Sequence, residues 1–145
     1  MFDFTGKTVL ITGATGGIGG AIACQLHGLG ATVALTDMNL DKLKAFQAEL
    51  GNRVFIYPAN LTDGESLKAL VKSAEQDMGK IDILINNAGI TQDGLSMRMT
   101  DEQWQKVLDI NLTAGFRLIR AVLPLMMKRR YGRIVSMASV VGAFG

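Results

Sequence analysis

Thr12-Gly13-Ala14-Thr15-Gly16-Gly17-Ile18-Gly19 follows a short apolar run, Thr8-Val9-Leu10-Ile11-Thr12, and opens a stretch, residues 17–29, in which Ile18, Ile22, Leu26 and Leu29 recur at helical spacing before Gly30. A strand that ends in a glycine cluster and turns directly into a helix is the setting in which a glycine-rich turn can hold a dinucleotide. The glycines do not follow G-x-G-x-x-G, because Thr15 and Ile18 stand at its second and third glycine places. They follow G-x-x-x-G-x-G through Gly13, Gly17 and Gly19. The physical logic is the same in both patterns. Gly13 permits the tight turn, the missing side chains let backbone approach a pyrophosphate, and Gly19 lets the helix pack close to the sheet with its N-terminus toward the phosphates. Gly13, Thr15, Gly16, Gly17, Ile18 and Gly19 are therefore expected to bind a cofactor. The competing reading is a glycine-rich turn without a ligand, and the strand–turn–helix placement argues against it.

Working outward, strand-like and helix-like patterns alternate. Strands are expected at residues 31–36, 53–57, 81–85 and 133–136, the last reaching toward Ser139. Helices are expected at residues 40–50, 62–78 and 100–128. Gly51 is placed as the C-cap of the second helix. Thr62-Asp63-Gly64-Glu65 and Thr100-Asp101-Glu102-Gln103 have the form of capping boxes. Pro124 should kink or break the long helical region near its end. Such alternation implies a parallel sheet joined by right-handed crossovers. The fold expected is a doubly wound α/β sheet, a Rossmann fold of three layers α/β/α, forming one dinucleotide-binding domain over residues 1–145. The last strand is apolar as a central strand would be, so the sheet is expected to continue past Gly145 and to be truncated here after its fifth strand.

Asp37 lies 18 residues beyond Gly19, at the end of the second strand pattern. A carboxylate near this spacing can accept hydrogen bonds from the adenosine ribose of NAD and would repel the extra phosphate of NADP. A helix-capping aspartate is the plainer alternative.

Composition narrows the remaining classes. The chain has 145 residues, 48% hydrophobic and 19% charged, which excludes disorder. Lys plus Arg number 15 against 13 Asp plus Glu. So small an excess gives no footprint for nucleic acid or a membrane surface. No unbroken apolar run approaches a bilayer span, no signal peptide is read at the N-terminus, and no metal is expected. The single cysteine, Cys24, cannot form an internal disulfide and is expected to be buried in a helix. The location expected is the cytoplasm.

Asn86-Asn87-Ala88-Gly89 after the fourth strand, Asn111 in the long helical region and Ser139 after the fifth strand complete an ordered series with the glycine turn. In this series the chain resembles the short-chain dehydrogenases/reductases, whose pattern runs T-G-x-x-x-G-x-G, N-N-A-G, a helix asparagine, a serine, then Y-x-x-x-K. The stretches Asn87-Ala88-Gly89-Ile90-Thr91, Met97-Arg98-Met99, Met126-Met127-Lys128-Arg129-Arg130-Tyr131-Gly132-Arg133-Ile134 and Ser139-Val140-Val141-Gly142 are similar to bacterial β-ketoacyl-[acyl-carrier-protein] reductases, and acetoacetyl-CoA reductases share much of them.

The resemblance implies NAD(P)H-dependent reduction of a β-ketoacyl thioester, on acyl carrier protein or CoA, in fatty-acid biosynthesis by a homotetramer. It implies that Ser139 hydrogen-bonds the substrate carbonyl and Asn111 anchors a water in a proton relay. Asn87, Ala88 and Gly89 would line the adenosine and ribose, Asn60 and Leu61 the adenine, and Arg130 would help bind the acidic carrier. Two departures from the subfamily, Gly16 in place of a basic residue and Asp37 in place of a small neutral one, favour NAD(H) over NADP(H). The Tyr and Lys of Y-x-x-x-K are expected beyond Gly145, so residues 1–145 alone are expected to be inactive. The alternatives are a nucleotide-binding fragment without catalysis and a short-chain alcohol dehydrogenase with another substrate.

Overall fold

The computed structural model describes residues 2–90, 94 and 96–139. Its elements are β1 (Thr8–Thr12), α1 (Gly17–Gly28), β2 (Thr32–Asp37), α2 (Leu40–Leu50), β3 (Val54–Pro58), α3 (Gly64–Met78), β4 (Ile83–Asn86), α4 (Asp101–Leu108), α5 (Ala114–Arg129) and β5 (Arg133–Ser136). The strands form one parallel sheet in the order β3-β2-β1-β4-β5. This is the Rossmann-type α/β arrangement expected from the alternating pattern.

The alternation of side chains along each strand sets the layers. Val9 and Ile11 of β1, Val33 and Leu35 of β2, and Ile83 and Ile85 of β4 join Ala23 of α1 and Leu43 of α2 in one core. Leu10, Ala34 and Leu84 point to the other face and meet Leu67, Leu70, Val71 and Ala74 of α3 with Leu118, Val122 and Met126 of α5. Strands covered on both faces need unbroken apolar runs, and β1 is buried at every position.

Several details depart from the sequence expectation. The spacing of Ile18, Ile22, Leu26 and Leu29 predicts an aliphatic stripe as the buried face of α1. The helix instead meets the sheet through Gly19, Ala23 and His27, and Ile18 is exposed. Small residues let this helix approach the strands, and of the apolar positions Ile22 and Leu26 pack, partly buried, beside them against the same core. Cys24 is exposed for the same reason, one position beyond the buried Ala23. The expected capping box at Thr62 does not form. Thr62 donates to Asn60 Oδ1, and Asp63 caps α3 by accepting from the Glu65 N–H. The box at Thr100 and Gln103 is present. Pro58 ends β3 within the strand, tolerated because β3 is an edge. Pro124 neither breaks nor ends α5.

Between α4 and α5 lies a π-helical turn, Asp109–Thr113, with no counterpart in the sequence expectation. Helix and turn together make a 29-residue region, Asp101–Arg129, containing an 18-residue stretch of mean hydropathy 1.3, long and apolar enough by length and composition alone to cross a membrane. Its inner stripe, Ala114, Leu118, Val122 and Met126, packs on the sheet as one layer of the fold, while Leu112, Phe116, Leu123 and Met127 are exposed. β5 pairs only with β4 among the described residues, and Val135 is half-exposed.

Candidate functional site

Parallel strands bring their carboxyl ends to one edge, and the chain changes direction across the sheet between β1 and β4. Crevices at such switch points are where open α/β sheets take ligands. The loops after β1 and β4 meet there. The Thr12 hydroxyl accepts the backbone N–H groups of Asn87 and Ala88, both at 3.0 Å, and Asn87 Nδ2 donates to Gly13 O at 3.3 Å. Sequence reasoning misses the role of Thr12. Its one signal is a hydroxyl at the end of a strand otherwise buried among apolar groups.

The glycine pattern has a steric reading. Gly13 has φ 63°, and a Cβ there would stand 3.0 Å from Ala88 Cα. A Cβ on Gly19 would press into the Gly13 carbonyl and come within 2.5 Å of Asn87 Nδ2. Gly16 is the N-cap of α1 in extended conformation and offers no capping side chain. Gly17, by contrast, faces open space, with no other group within 4 Å of the place a Cβ would occupy. The turn therefore combines two glycines demanded by packing with an open backbone surface at a helix N-terminus. That surface fits a phosphate-bearing ligand.

Asp37, the last residue of β2, reaches back to this turn. Its Oδ2 accepts the Thr15 N–H at 3.1 Å and the Thr15 hydroxyl at 2.5 Å, while Oδ1 accepts the Met38 N–H at 2.8 Å. Met38 is exposed and uncharged, and no basic side chain occupies Gly16. The Asp37 carboxylate thus stands beside the turn with no cation at Gly16 or Met38.

Other expected site residues divide. Asn60 is exposed after β3, with its Oδ1 taken by the Thr62 N–H and hydroxyl. The Leu61 side chain is buried in the core, so only its backbone is left for a ligand. Asn111 lies in the π turn and clasps Ile90. A Cβ on Gly89 would stand 3.1 Å from Asn111 Oδ1, so the glycine makes room for that clasp. Ser139 is exposed after β5, at the same sheet edge as the loops after β1 and β4. Thr91 and the Val140-Val141-Gly142 run lie outside the described residues.

Arg130 sits apart. It is the left-handed C-cap of α5, at the edge where the strands begin, opposite the glycine turn. Arg129 beside it is paired with Glu75.

Comparison with known proteins agrees with this geometry. The family model for short chain dehydrogenase matches residues 7–145. Nodulation protein G of Rhizobium sp. (strain N33) is 53% identical over all of this chain and 59% of its own length. The 3-oxoacyl-[acyl-carrier-protein] reductase FabG of Rickettsia bellii is 49% identical over all of this chain and 58% of its own length. That of Escherichia coli K12 is 43% identical over 99% of this chain and 59% of its own length. The chain thus spans a little under three fifths of the curated relatives it matches. With the family model matching nearly its whole length, the chain belongs to the short-chain dehydrogenase family.

Proposed function

We propose that the full-length protein reduces a β-ketoacyl thioester to the β-hydroxyacyl thioester, with NAD(H) preferred over NADP(H), in the cytoplasm. The observation that carries this reading is the convergence of the glycine turn, Asp37, Asn87 to Gly89, Asn111 and Ser139 at one sheet edge, in a chain similar throughout to 3-oxoacyl-[acyl-carrier-protein] reductases.

A bound nicotinamide cofactor supplies the hydride. Gly16 to Gly19 would hold its pyrophosphate through open backbone, and Asp37 would accept from the adenosine ribose. Asn87, Ala88 and Gly89 would line the adenosine and ribose, and Asn60 with the Leu61 backbone the adenine. Ser139 would donate a hydrogen bond to the substrate carbonyl, stabilising oxyanion character as the carbonyl carbon is reduced. Asn111 would hold a water on the path that returns a proton to the site. The general acid, a Tyr of a Tyr-x-x-x-Lys pair, is not encoded in residues 1–145: Tyr57 is followed four residues on by Leu61, and Tyr131 by Val135.

A second reading, a short-chain oxidoreductase acting on another carbonyl compound, is favoured by the 53% identity to a relative whose name states no acyl substrate. The test offers acetoacetyl thioesters of acyl carrier protein and of CoA to the full-length protein and follows nicotinamide absorbance. Turnover of either supports the first reading. Turnover of simple ketones with neither thioester accepted establishes the second.

A further inference from the structure

We propose that the cleft between the start of α3 and the first half of α5 is a second anion site, separate from the glycine turn, and that it binds a phosphate monoester as its dianion. The cleft has a volume of about 320 Å³ and is walled in part by Gly64, Glu65 and Lys68 of α3 and by Arg117 and Arg120 of α5. That size lies within the roughly 300–1,000 Å³ of small-molecule sites. It belongs to the helix layer on one face of the sheet, whereas α1, which follows the glycine turn, lies on the other.

Three cations line this cleft against one carboxylate, a net charge of +2. Glu65 is taken by Lys68 at 3.4 Å, and both are exposed. Among the described residues neither arginine meets a carboxylate. Asp63, the N-cap of α3, turns its Oδ1 to the Glu65 N–H and does not line the cleft. Arg117 is the anchor. It is half-buried, its guanidinium lies across Gly64 with Cζ 3.5 Å from the place a Cβ would occupy, and its Nη1 donates to Thr62 O at 3.4 Å. These contacts fix the group at the N-terminus of α3 while using one of its five N–H donors. Arg120 lies over the Phe116 ring at 5.2 Å, a contact that holds it without using any donor. The positive end of the α3 dipole adds to the same wall. A phosphate monoester carries about −1.5 to −2 charges near neutral pH and offers three acceptor oxygens, so it matches both the charge and the planar forks of the two arginines. A carboxylate would neutralise only half of that charge.

The test is equilibrium dialysis of the full-length protein against labelled glycerol phosphate, at constant ionic strength and with NADH saturating so that the glycine turn is filled. Glycerol phosphate is expected to bind, and acetate, a monoanion, to compete at least about tenfold more weakly. Arg117→Gln and Arg120→Gln should each weaken glycerol phosphate about tenfold, the size of one hydrogen bond assisted by charge. Lys44→Gln removes the same charge from an exposed position of α2, on the opposite face of the sheet, and should leave the affinity unchanged. Should Arg117→Gln fail to fold, Arg120→Gln and Lys68→Gln, both at exposed side chains, carry the test. No retention of glycerol phosphate, acetate competing equally well, or Lys44→Gln weakening binding as much as the arginine variants overturns the proposal.

Discussion

The side-chain amide of Asn111 pairs with both backbone groups of Ile90: Nδ2 donates to Ile90 O at 2.8 Å, and Oδ1 accepts the Ile90 N–H at 2.7 Å. The pair joins the π turn to the segment after β4, two residues beyond Ala88. π turns frequently mark functional positions, because they re-aim a side chain out of the regular helix ladder. Asn111→Ala loses both bonds and is expected to cost about 1–2 kcal/mol in a denaturant titration. Asn111→Asp should cost at least as much, since it removes the donor and sets lone pairs against the Ile90 carbonyl. An Asp variant as stable as wild type would show that the donated bond contributes nothing.

Gly19 and Gly17 separate packing from ligand approach. Gly19→Ala drives a methyl into the Gly13 carbonyl, which is backbone and cannot step aside. The expected loss is about 2 kcal/mol or more, within the range of about 1–3 kcal/mol typical of overpacking, with nucleotide binding lost as well. Gly17→Ala meets no protein atom, so the melting temperature should hold to within a degree or two while NADH affinity falls. Unchanged NADH affinity in Gly17→Ala would remove the ligand from this part of the turn.

These two glycines also mark how far the sequence could be read. The glycine pattern, the alternation of strands and helices and the order of the later asparagine and serine motifs were enough for the architecture and for naming a candidate site, because each depends on local spacing. Relations set by tertiary contact were not legible. Nothing in Asp109-Ile110-Asn111-Leu112-Thr113 distinguishes a π turn from ordinary helix until Ile90 is present to pair with Asn111. Thr62 and Asp63 are equally good caps by composition, and the Asn60 side chain decides between them by taking the Thr62 hydroxyl. The exposure of Cys24 follows from which helix face carries the small residues, Gly19 and Ala23, and not from where the large apolar ones recur.

Asp82 fastens the starts of three strands. Buried to 4% exposure, its Oδ2 accepts the Thr8 N–H at 3.0 Å and the Thr8 hydroxyl at 3.3 Å and pairs with Lys80 at 2.9 Å. Its own N–H meets Thr8, and its carbonyl accepts from Arg133 at the start of β5. Asp82→Ala strands the buried Thr8 N–H and is expected to cost about 2–4 kcal/mol by thermal or denaturant unfolding. Asp82→Asn keeps an acceptor for Thr8 and should cost less. A loss under about 1 kcal/mol for the alanine variant would contradict this assignment.

Tyr57 donates to Asp77 Oδ2 at 2.6 Å. Burial, followed by that hydrogen bond and the Asp77 charge, raises the Tyr57 pKa well above its ordinary 10.0. The folded protein therefore holds this proton more tightly than the unfolded chain. The contribution to stability is complete below pH 10 and declines as pH rises above it toward the folded value. Tyr57→Phe should flatten the alkaline limb of a stability–pH curve above pH 10 and leave its shape below that unchanged. A wild-type curve and a variant curve that stay parallel through the alkaline range would refute it.

The outer face of the α4–α5 region makes the last prediction. Leu118, Val122 and Met126 are buried against the sheet, but Trp104, Leu112, Phe116, Leu123 and Met127 stand exposed at 57%, 66%, 57%, 42% and 69%. So continuous an apolar face argues for a covered surface, and the expected cover is a second copy within a homotetramer. The position of Arg130 adds a consequence. At the strand-start edge of its own chain, it is remote from the glycine turn, and we propose it as the contact for an acidic carrier. Phe116→Glu, which sets a charge at the centre of the face, should lower the mass of the full-length protein in light scattering. Arg130→Glu should leave that mass intact and raise KM about tenfold for a substrate on acyl carrier protein, by reversing a charge against an acidic partner, while KM for the CoA thioester stays near wild type. Equal effects on the two thioesters would place Arg130 outside carrier recognition. A wild-type protein already monomeric would show that the apolar face has another cover.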